Sequence, residues 1–320
     1  MSTPHPETSG ITWRPATQED IPAIVTFAAA VNAAERLEFA GGPEFWKWWL
    51  GQHDPATDTL LALGPGGEVL AFGGSFGSDS DRGARAILWL DAHPDRLDLE
   101  KPLLEWVTGR GLAQVTASEH REKAVRISAE EHRTRRRGLL ETSGFVAKRS
   151  FVDMERSLTT VLPEPGPLPE GVEVVPWTPD FDEGARLVSN ASFADHWGSL
   201  PMDRETWDSM VLDDDVNRRE LSFLAIADGE PIAICLVEVD TEEDPSRMWI
   251  DRAGTAPRWQ RQGLASILLA WSMRAGAAAG LLTTGLSVDE ESRFDATALY
   301  ARLGYTVKQR SITYLLEDPS

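Results

Sequence analysis

The residues best placed to do chemistry are Gln260-Arg261-Gln262-Gly263-Leu264-Ala265, which follow a strand ending near Pro257 and open an apolar helix through Leu268, Leu269 and Trp271. A glycine turn at a helix start leaves four backbone N–H groups without helical partners, at the positive end of the helix dipole. Gly263 carries no Cβ, so a phosphate can approach the backbone closely there. The same hexapeptide also describes an ordinary strand-to-helix turn, and its surroundings decide between the two. The next such segment is Ser292-Arg293-Phe294-Asp295-Ala296-Thr297-Ala298-Leu299-Tyr300-Ala301-Arg302-Leu303-Gly304-Tyr305. It reads as a helix stopped by Gly304, followed by a strand alternating through Val307, Ile312, Tyr314 and Leu316.

Other chemistries find little support. The six histidines form no pair at metal-ligand spacing, and no serine sits in a G-x-S-x-G turn. Gly64-Pro65-Gly66-Gly67 and Gly73-Gly74 read as hairpin turns rather than a phosphate cradle, because no helix follows them. The one cysteine, Cys235, lies in an apolar run from Pro231 to Val239. A buried structural thiol is expected, with disulfides and cysteine-rich metal sites excluded. Arg133, Arg135, Arg136 and Arg137 read as a solvated helix face, with docking of a partner or of the acidic second half as alternatives. Twelve tryptophans, with Trp46, Trp48 and Trp49 clustered, point to heavy aromatic packing, with the junction between the halves as one place for it.

A chain of 320 residues with 42% hydrophobic content exceeds the size at which single cores stop growing. Two domains are expected, 1–160 and 172–320, joined by the proline-rich linker 161–171, whose four prolines disfavour helix and central strand. The net charge is −20: residues 1–160 carry 23 acidic and 18 basic side chains, residues 161–320 carry 28 and 13. Such a field repels nucleic acid and anionic lipid and gathers small cations; it also serves solubility alone. Asp213-Asp214-Asp215 and Glu242-Glu243-Asp244 read as solvated loop runs. No apolar run is long enough for a membrane helix, and Met1-Ser2-Thr3-Pro4-His5-Pro6 lacks the features of a secretory leader, so a cytoplasmic protein is expected. Arginine supplies 26 of the 31 basic residues, a usage that suggests a GC-rich bacterial genome.

Periodicity in the second half places strands at Val172–Trp177, Glu220–Ala227, Pro231–Asp240 and Met248–Thr255, and helices at Glu183–Phe193 and Asp203–Leu212. Strand, Q-x-x-G-x-A loop, helix, strand, then an A-x-x-L-Y-x-x-L-G-Y helix: this order resembles the acetyl-CoA-binding core of the GNAT superfamily of N-acetyltransferases. The resemblance covers residues 171–317. Setting Gly144-Phe145 on Gly304-Tyr305 makes the first half a faint copy, with Leu140 in place of Tyr300. Its loop, His93-Pro94-Asp95-Arg96-Leu97-Asp98-Leu99-Glu100-Lys101, has no glycine and places carboxylates where a pyrophosphate would sit. The whole chain is thus similar to tandem, mycothiol synthase-like members of the superfamily, with a degenerate first domain and a competent second one.

The resemblance implies an α/β (α+β) fold, two tandem GNAT-like domains, each a mixed, mostly antiparallel sheet flanked by helices. It implies acetyl-CoA as cosubstrate and no metal. The loop Gln260, Arg261, Gln262, Gly263, Leu264 and Ala265 would hold the pyrophosphate, and backbone amides of Ala253, Gly254 and Thr255 would hold the pantetheine arm and polarise the thioester. Ser292, where relatives often have asparagine, would help seat the arm. Tyr300 would protonate the departing thiolate, a phenol of pKa about 10 serving a thiolate of about 8.5; packing alone would also place an aromatic there. Glu238 and Asp251 are alternative bases for the amine, beside a water chain or a carbonyl. Asp195 would bind a cationic amine and His196 would meet the acceptor or serve as its base; a helix-capping aspartate and a packed histidine are the alternatives. The expected acceptor is the primary amine of a small, cationic metabolite, with neither nucleic acid nor membrane as partner. A non-catalytic acyl-CoA-binding or assembly module is the alternative.

Overall fold

A computed structural model describes residues 4–38, 40–51, 54–80, 83–120, 122–197, 199, 201–212, 216–240, 244–292 and 296–316. Asp213-Asp214-Asp215, Glu242-Glu243, Gly198 and Arg293-Phe294-Asp295 lie outside them. In chain order the first elements are β1 (Thr12–Arg14), α1 (Ile21–Glu35), α2 (Pro43–Gly51), α3 (Pro55–Asp58), β2 (Thr59–Leu63), β3 (Val69–Ser80), β4 (Gly83–Ala92), α4 (Glu100–Thr116), β5 (Lys123–Glu130), α5 (Thr134–Thr142) and β6 (Phe145–Ser157). There follow β7 (Val172–Pro176), α6 (Asp182–Ser192), α7 (Arg204–Met210), β8 (Phe223–Ala227), β9 (Glu230–Glu238), β10 (Arg247–Thr255), α8 (Leu264–Ala278), β11 (Thr283–Asp289), α9 (Ala296–Arg302) and β12 (Thr306–Leu316). The expected strand from Glu220 starts only at Phe223, because Arg219–Leu221 forms a 3-10 turn that the Ser222 hydroxyl ties to the Arg218 carbonyl.

The chain forms two compact units, Met1–Ser150 with Gln309–Ser320, and Phe151–Lys308. The proline-rich segment 161–171 lies inside the second unit. In the first, neighbouring strands run β1-β2-β3-β4-β5-β12; in the second, β7-β8-β9-β10-β11-β6. Every such pair is antiparallel except β4 with β5 and β10 with β11. Each unit therefore takes its last strand from the other half of the sequence: Phe151–Ser157 pairs with β11, and Ser311–Leu316 pairs with β5.

In the second unit β9 is buried on both faces, which is why its sequence is a continuous apolar run rather than an alternation. Ile232, Ala233, Cys235 and Val237 join Leu264, Leu268, Leu269 and Met273 of α8; Ile234 and Leu236 face Ala185, Val188 and Trp207 of α6 and α7. Leu268 and Leu269 are fully buried, and each such leucine stabilises the unit by about 1.5–3 kcal/mol. In the first unit Trp46 packs its ring 5.6 Å from Phe72 and 5.0 Å from Trp89, so Trp46 and Trp49 belong to that unit's own core, while Trp48 is exposed.

Two sequence expectations for the first unit fail. Gly73 and Gly74 are in the middle of β3, not in a turn; a Cβ at Gly73 would meet the Trp89 carbonyl at 2.9 Å, and one at Gly74 the Trp49 ring at 2.6 Å. Glycine is required there by close approach, not by turn geometry. Nor is the arginine cluster wholly a solvated face. Arg135 is exposed, but Arg133 and Arg136 are buried, and these two donate to Asp91 Oδ1, at 2.7 and 2.8 Å. Arg136 also pairs with buried Glu100 and donates to the Leu90 carbonyl at 2.8 Å. The parallel pairing of β4 with β5 ends at Leu88 and Ile127, so the guanidinium takes a carbonyl just past the last paired residue. A single-sequence reading assigns arginines to solvent because it cannot see the carboxylates that pair with them.

Replacing one partner of this network leaves buried charge uncompensated, so Arg136→Met should cost about 3 kcal/mol in urea unfolding at pH 7. A loss under about 0.5 kcal/mol, the size of an ordinary surface change, would show that the network carries no stability.

Candidate active site

The second unit's sheet opens where its two parallel strands part. β10 pairs with β11 only at Arg247–Thr283, Met248–Thr284 and Trp249–Gly285. The Trp249 ring lies across Gly285, where a Cβ would meet it at 2.6 Å. Just beyond, the β9–β10 register shifts between Ile250 and Arg252 in a bulge, a device that bends a strand and increases its twist. Past this point a cavity of about 590 Å³ lies between the strand ends. Ile250, Asp251, Ala253, Gly254 and Thr255 line one side; Leu286, Ser287, Val288 and Asp289 line the other.

One end of the cavity is the start of α8. A 3-10 turn over Pro257–Trp259 leads into it, and Gln260 Nε2 donates to the Thr255 carbonyl at 3.2 Å, closing the loop on the end of β10. Arg261 and Gly263 both have left-handed backbones, with φ of 64° and 81°. For arginine this conformation costs on the order of 1 kcal/mol, a strain found mostly at functional sites. Gly263 is the N-cap and no side chain caps the helix. A Cβ at Gly263 would meet nothing within 4 Å, so the space beside it is open. Trp259, Gln260, Arg261, Gly263, Leu264, Ala265 and Ser266 all line the cavity. The geometry is that of an anion site at a helix terminus.

Another wall is α9, with Ala296, Leu299, Tyr300 and Arg302. Gly304, at φ 88°, ends the helix in a left-handed turn, and Tyr305 N–H donates to the Tyr300 carbonyl at 3.0 Å. The Arg156 guanidinium donates to the Leu303 carbonyl, placing a cation at the helix C-terminus. The Tyr300 ring meets that of Tyr305 edge-on at 5.8 Å, and the Tyr305 hydroxyl is 3.1 Å from Thr284 Oγ1. Burial, with a smaller effect of Cys235, pushes the Tyr300 hydroxyl above the ordinary phenol range. It stays protonated at any physiological pH.

The opposite face of the sheet carries the C-terminal end of α6. Gly254 is the point of approach: a Cβ there would meet Ser192 Oγ at 2.8 Å and the Phe193 ring at 3.4 Å. His196 stacks edge-on to Phe193 at 4.8 Å, and both line the cavity. Asp251, in the bulge, keeps 27% of its side chain open and sits 3.0 Å from the Arg252 guanidinium. Burial raises its pKa, against the opposing effect of Arg252.

The cavity thus brings together Tyr300, Asp251, Ala253, Gly254, Thr255, Gln260, Arg261, Gly263, Leu264, Ala265, Ser292 and His196. Glu238, Gln262 and Asp195 are not among its lining residues. Glu238 stands opposite Trp249 at the far end of β9, and Asp195 and Gln262 are exposed. Phe151, Trp259, Ser287 and Asp289 were not read as site residues. Trp259 adjoins the loop motif and was within reach of it; Phe151 precedes the proline-rich segment and carries no local signal. Cys235 is fully buried, accepts from Ser272 Oγ at 3.3 Å, and is pushed up to about 12 by burial, so it is no nucleophile at neutral pH. Among the described residues no group of three His, Cys, Asp or Glu side chains could hold a metal, and no helix is long and apolar enough to cross a membrane.

Comparison with known proteins gives this geometry its relatives. Residues 186–305 match the model of the Acetyltransferase (GNAT) family. A mycothiol acetyltransferase of Streptomyces bingchenggensis is 29% identical over 310 residues, 95% of this chain and 94% of that one. Another, from Streptomyces scabiei, is 30% identical over 216 residues, 65% of this chain and 67% of that one. Among solved structures, a GCN5-related N-acetyltransferase from Sphaerobacter thermophilus has a TM-score of 0.79 at 24% identity, covering 97% of this chain and 96% of its own. A tandem GNAT protein from the clavulanic acid pathway has a TM-score of 0.68 at 15% identity, covering 95% and 98%. These two likenesses show the fold. Taken with the family model and the sequence relatives, they establish that the chain belongs to the GNAT family of acetyltransferases.

Proposed function

We propose that the second unit transfers the acetyl group of acetyl-CoA to the primary amine of a small, cationic metabolite, by direct attack of the amine on the thioester. The observation that carries this reading is the joining, in one cavity, of an uncapped helix N-terminus, a parted strand edge and a protonated tyrosine. The pyrophosphate would lie on the N–H groups at the start of α8. In an antiparallel pair alternate residues turn their N–H and C=O groups away from the partner strand. Beyond Trp249, those groups of β10 face the space that β11 has left. They would hold the pantetheine amides and one would polarise the thioester carbonyl, with Ala253, Gly254 and Thr255 as the candidates. Ser292 lines the same space and would supply a further hydrogen bond.

The neutral amine forms the new C–N bond as the carbonyl π electrons move to oxygen; collapse of this intermediate breaks the C–S bond. Asp251, through water or directly, would take the ammonium proton, and Tyr300 would give its proton to the thiolate, to be reprotonated from solvent. Burial raises the basicity of the carboxylate and keeps the phenol protonated, though it also weakens the phenol as an acid. His196 would contact the acceptor from the α6 face. The acidic excess of residues 161–320 favours a cationic acceptor, and the name of the mycothiol acetyltransferase relatives fits a small-molecule one. The first unit is read as binding no cofactor, because Arg136 and Asp91 occupy the end of its own parallel strand pair.

Removing only the hydroxyl in Tyr300→Phe should lower kcat by about 100-fold or more, as for loss of a general acid. Acetyl-CoA affinity by calorimetry should stay within about twofold. Wild-type turnover would take Tyr300 out of the mechanism. Gly263→Glu adds a side chain, a strained φ and a negative charge at the anion end; acetyl-CoA binding should vanish, and retained binding would refute the loop assignment. A base must be ionised, and Asp251 is raised above the ordinary carboxylate value near 4. Its contribution to kcat should therefore be lost as pH falls through that raised value and be absent from Asp251→Asn at every pH. An unchanged acid limb in the variant would assign the proton to another acceptor.

A further inference from the structure

The second unit's sheet is completed by a strand from before the proline-rich segment 161–171. Phe151–Ser157 of β6 pairs antiparallel with β11, Phe151 opposite Asp289 and Asp153 opposite Ser287. Along this strand Val152 and Met154 are buried in the cluster that contains α8, while Phe151 and Asp153 are half-buried. Side chains of a strand alternate between faces, so Phe151 stands on the face opposite α8. That is the face on which Ser192 and Phe193, at the end of α6, approach Gly254. Phe151 also lines the cavity. The anion end, at the start of α8, belongs to the other face. The ring is thus on the side from which an amine, not the cofactor, reaches the parted strands.

We infer that Phe151 is a specificity-determining residue: its ring forms the wall against which the carbon skeleton of the amine rests, and so selects among acceptors. The inference rests on the acetyl-transfer reading. It also gives a chemical reason for the tandem chain, because the strand that carries this wall is the continuation of the first half's last strand. Facing Asp289 across the strand pair, the ring presents an apolar surface beside a carboxylate. This combination suits an ammonium-bearing hydrocarbon or sugar better than an anionic acceptor.

The test uses the full chain, acetyl-CoA, and putrescine, spermidine, glucosamine and tyramine as probes, followed by release of the CoA thiol. With the best probe, Phe151→Ala should raise the acceptor KM by roughly 10-fold while kcat changes by less than about threefold, the pattern of lost acceptor binding. The order of preference should shift toward bulkier amines. Calorimetric affinity for acetyl-CoA should not change, and Phe151→Leu, which keeps an apolar wall and guards against a folding defect in the alanine variant, should fall between. An unchanged acceptor KM and preference order in both variants would overturn the inference alone, as would a parallel loss of acetyl-CoA affinity. A wild-type chain that acetylates none of the amines would count against the acetyl-transfer reading and remove the inference with it.

Discussion

The site depends on the parting of β10 and β11 after three paired residues. Paired sheet has no room between neighbouring strands, which lie about 4.8 Å apart with their polar groups satisfied by each other. Ending the pairing early leaves one edge of β10 with backbone donors and acceptors that β11 does not satisfy. The bulge at Asp251 turns the strand at the same point and places a carboxylate there. Packing on both sides holds the gap open: Gly254 admits α6 from one face, and the buried leucines of α8 fix the other. A helix N-terminus, a phenol and a carboxylate then converge on a single cavity because each is attached to one of these edges.

The first unit closes the corresponding place with side chains of its own. Its parallel pair also ends early, at Leu88, but Arg136 takes the Leu90 carbonyl and two carboxylates neutralise it and Arg133. Here a backbone carbonyl beyond the paired strands is met by a side chain of the chain itself.

How far the sequence foretold this depends on how local each feature is. The loop at Gly263 and the helix closed by Gly304 were legible because φ, capping and helix periodicity are written within a few residues. The strands of the second half other than β11, which was given no range, were legible for the same reason, to within about three residues at their ends. Arg136 was misread because its partners Asp91 and Glu100 lie more than thirty residues away. Gly73 and Gly74 were misread because close approach of Trp89 and Trp49 imitates a turn signal in the sequence. Phe151 carried no signal, since its place in the site follows from an exchange of last strands between the units that no local pattern encodes. Among the proposed bases, Asp251 and Glu238 looked alike as strand-end carboxylates, and the pairing register separates them: Asp251 sits in the bulge beside the cavity, Glu238 opposite Trp249 at the far end of β9.

The central claim is that one cavity, in the second unit, binds acetyl-CoA while the first unit's counterpart is closed by its own ion pairs. Calorimetric titration of the full chain with acetyl-CoA tests it most directly. The account predicts a single site per chain. Two sites per chain would contradict the closure of the first unit, and no binding would contradict the assignment of the cavity itself.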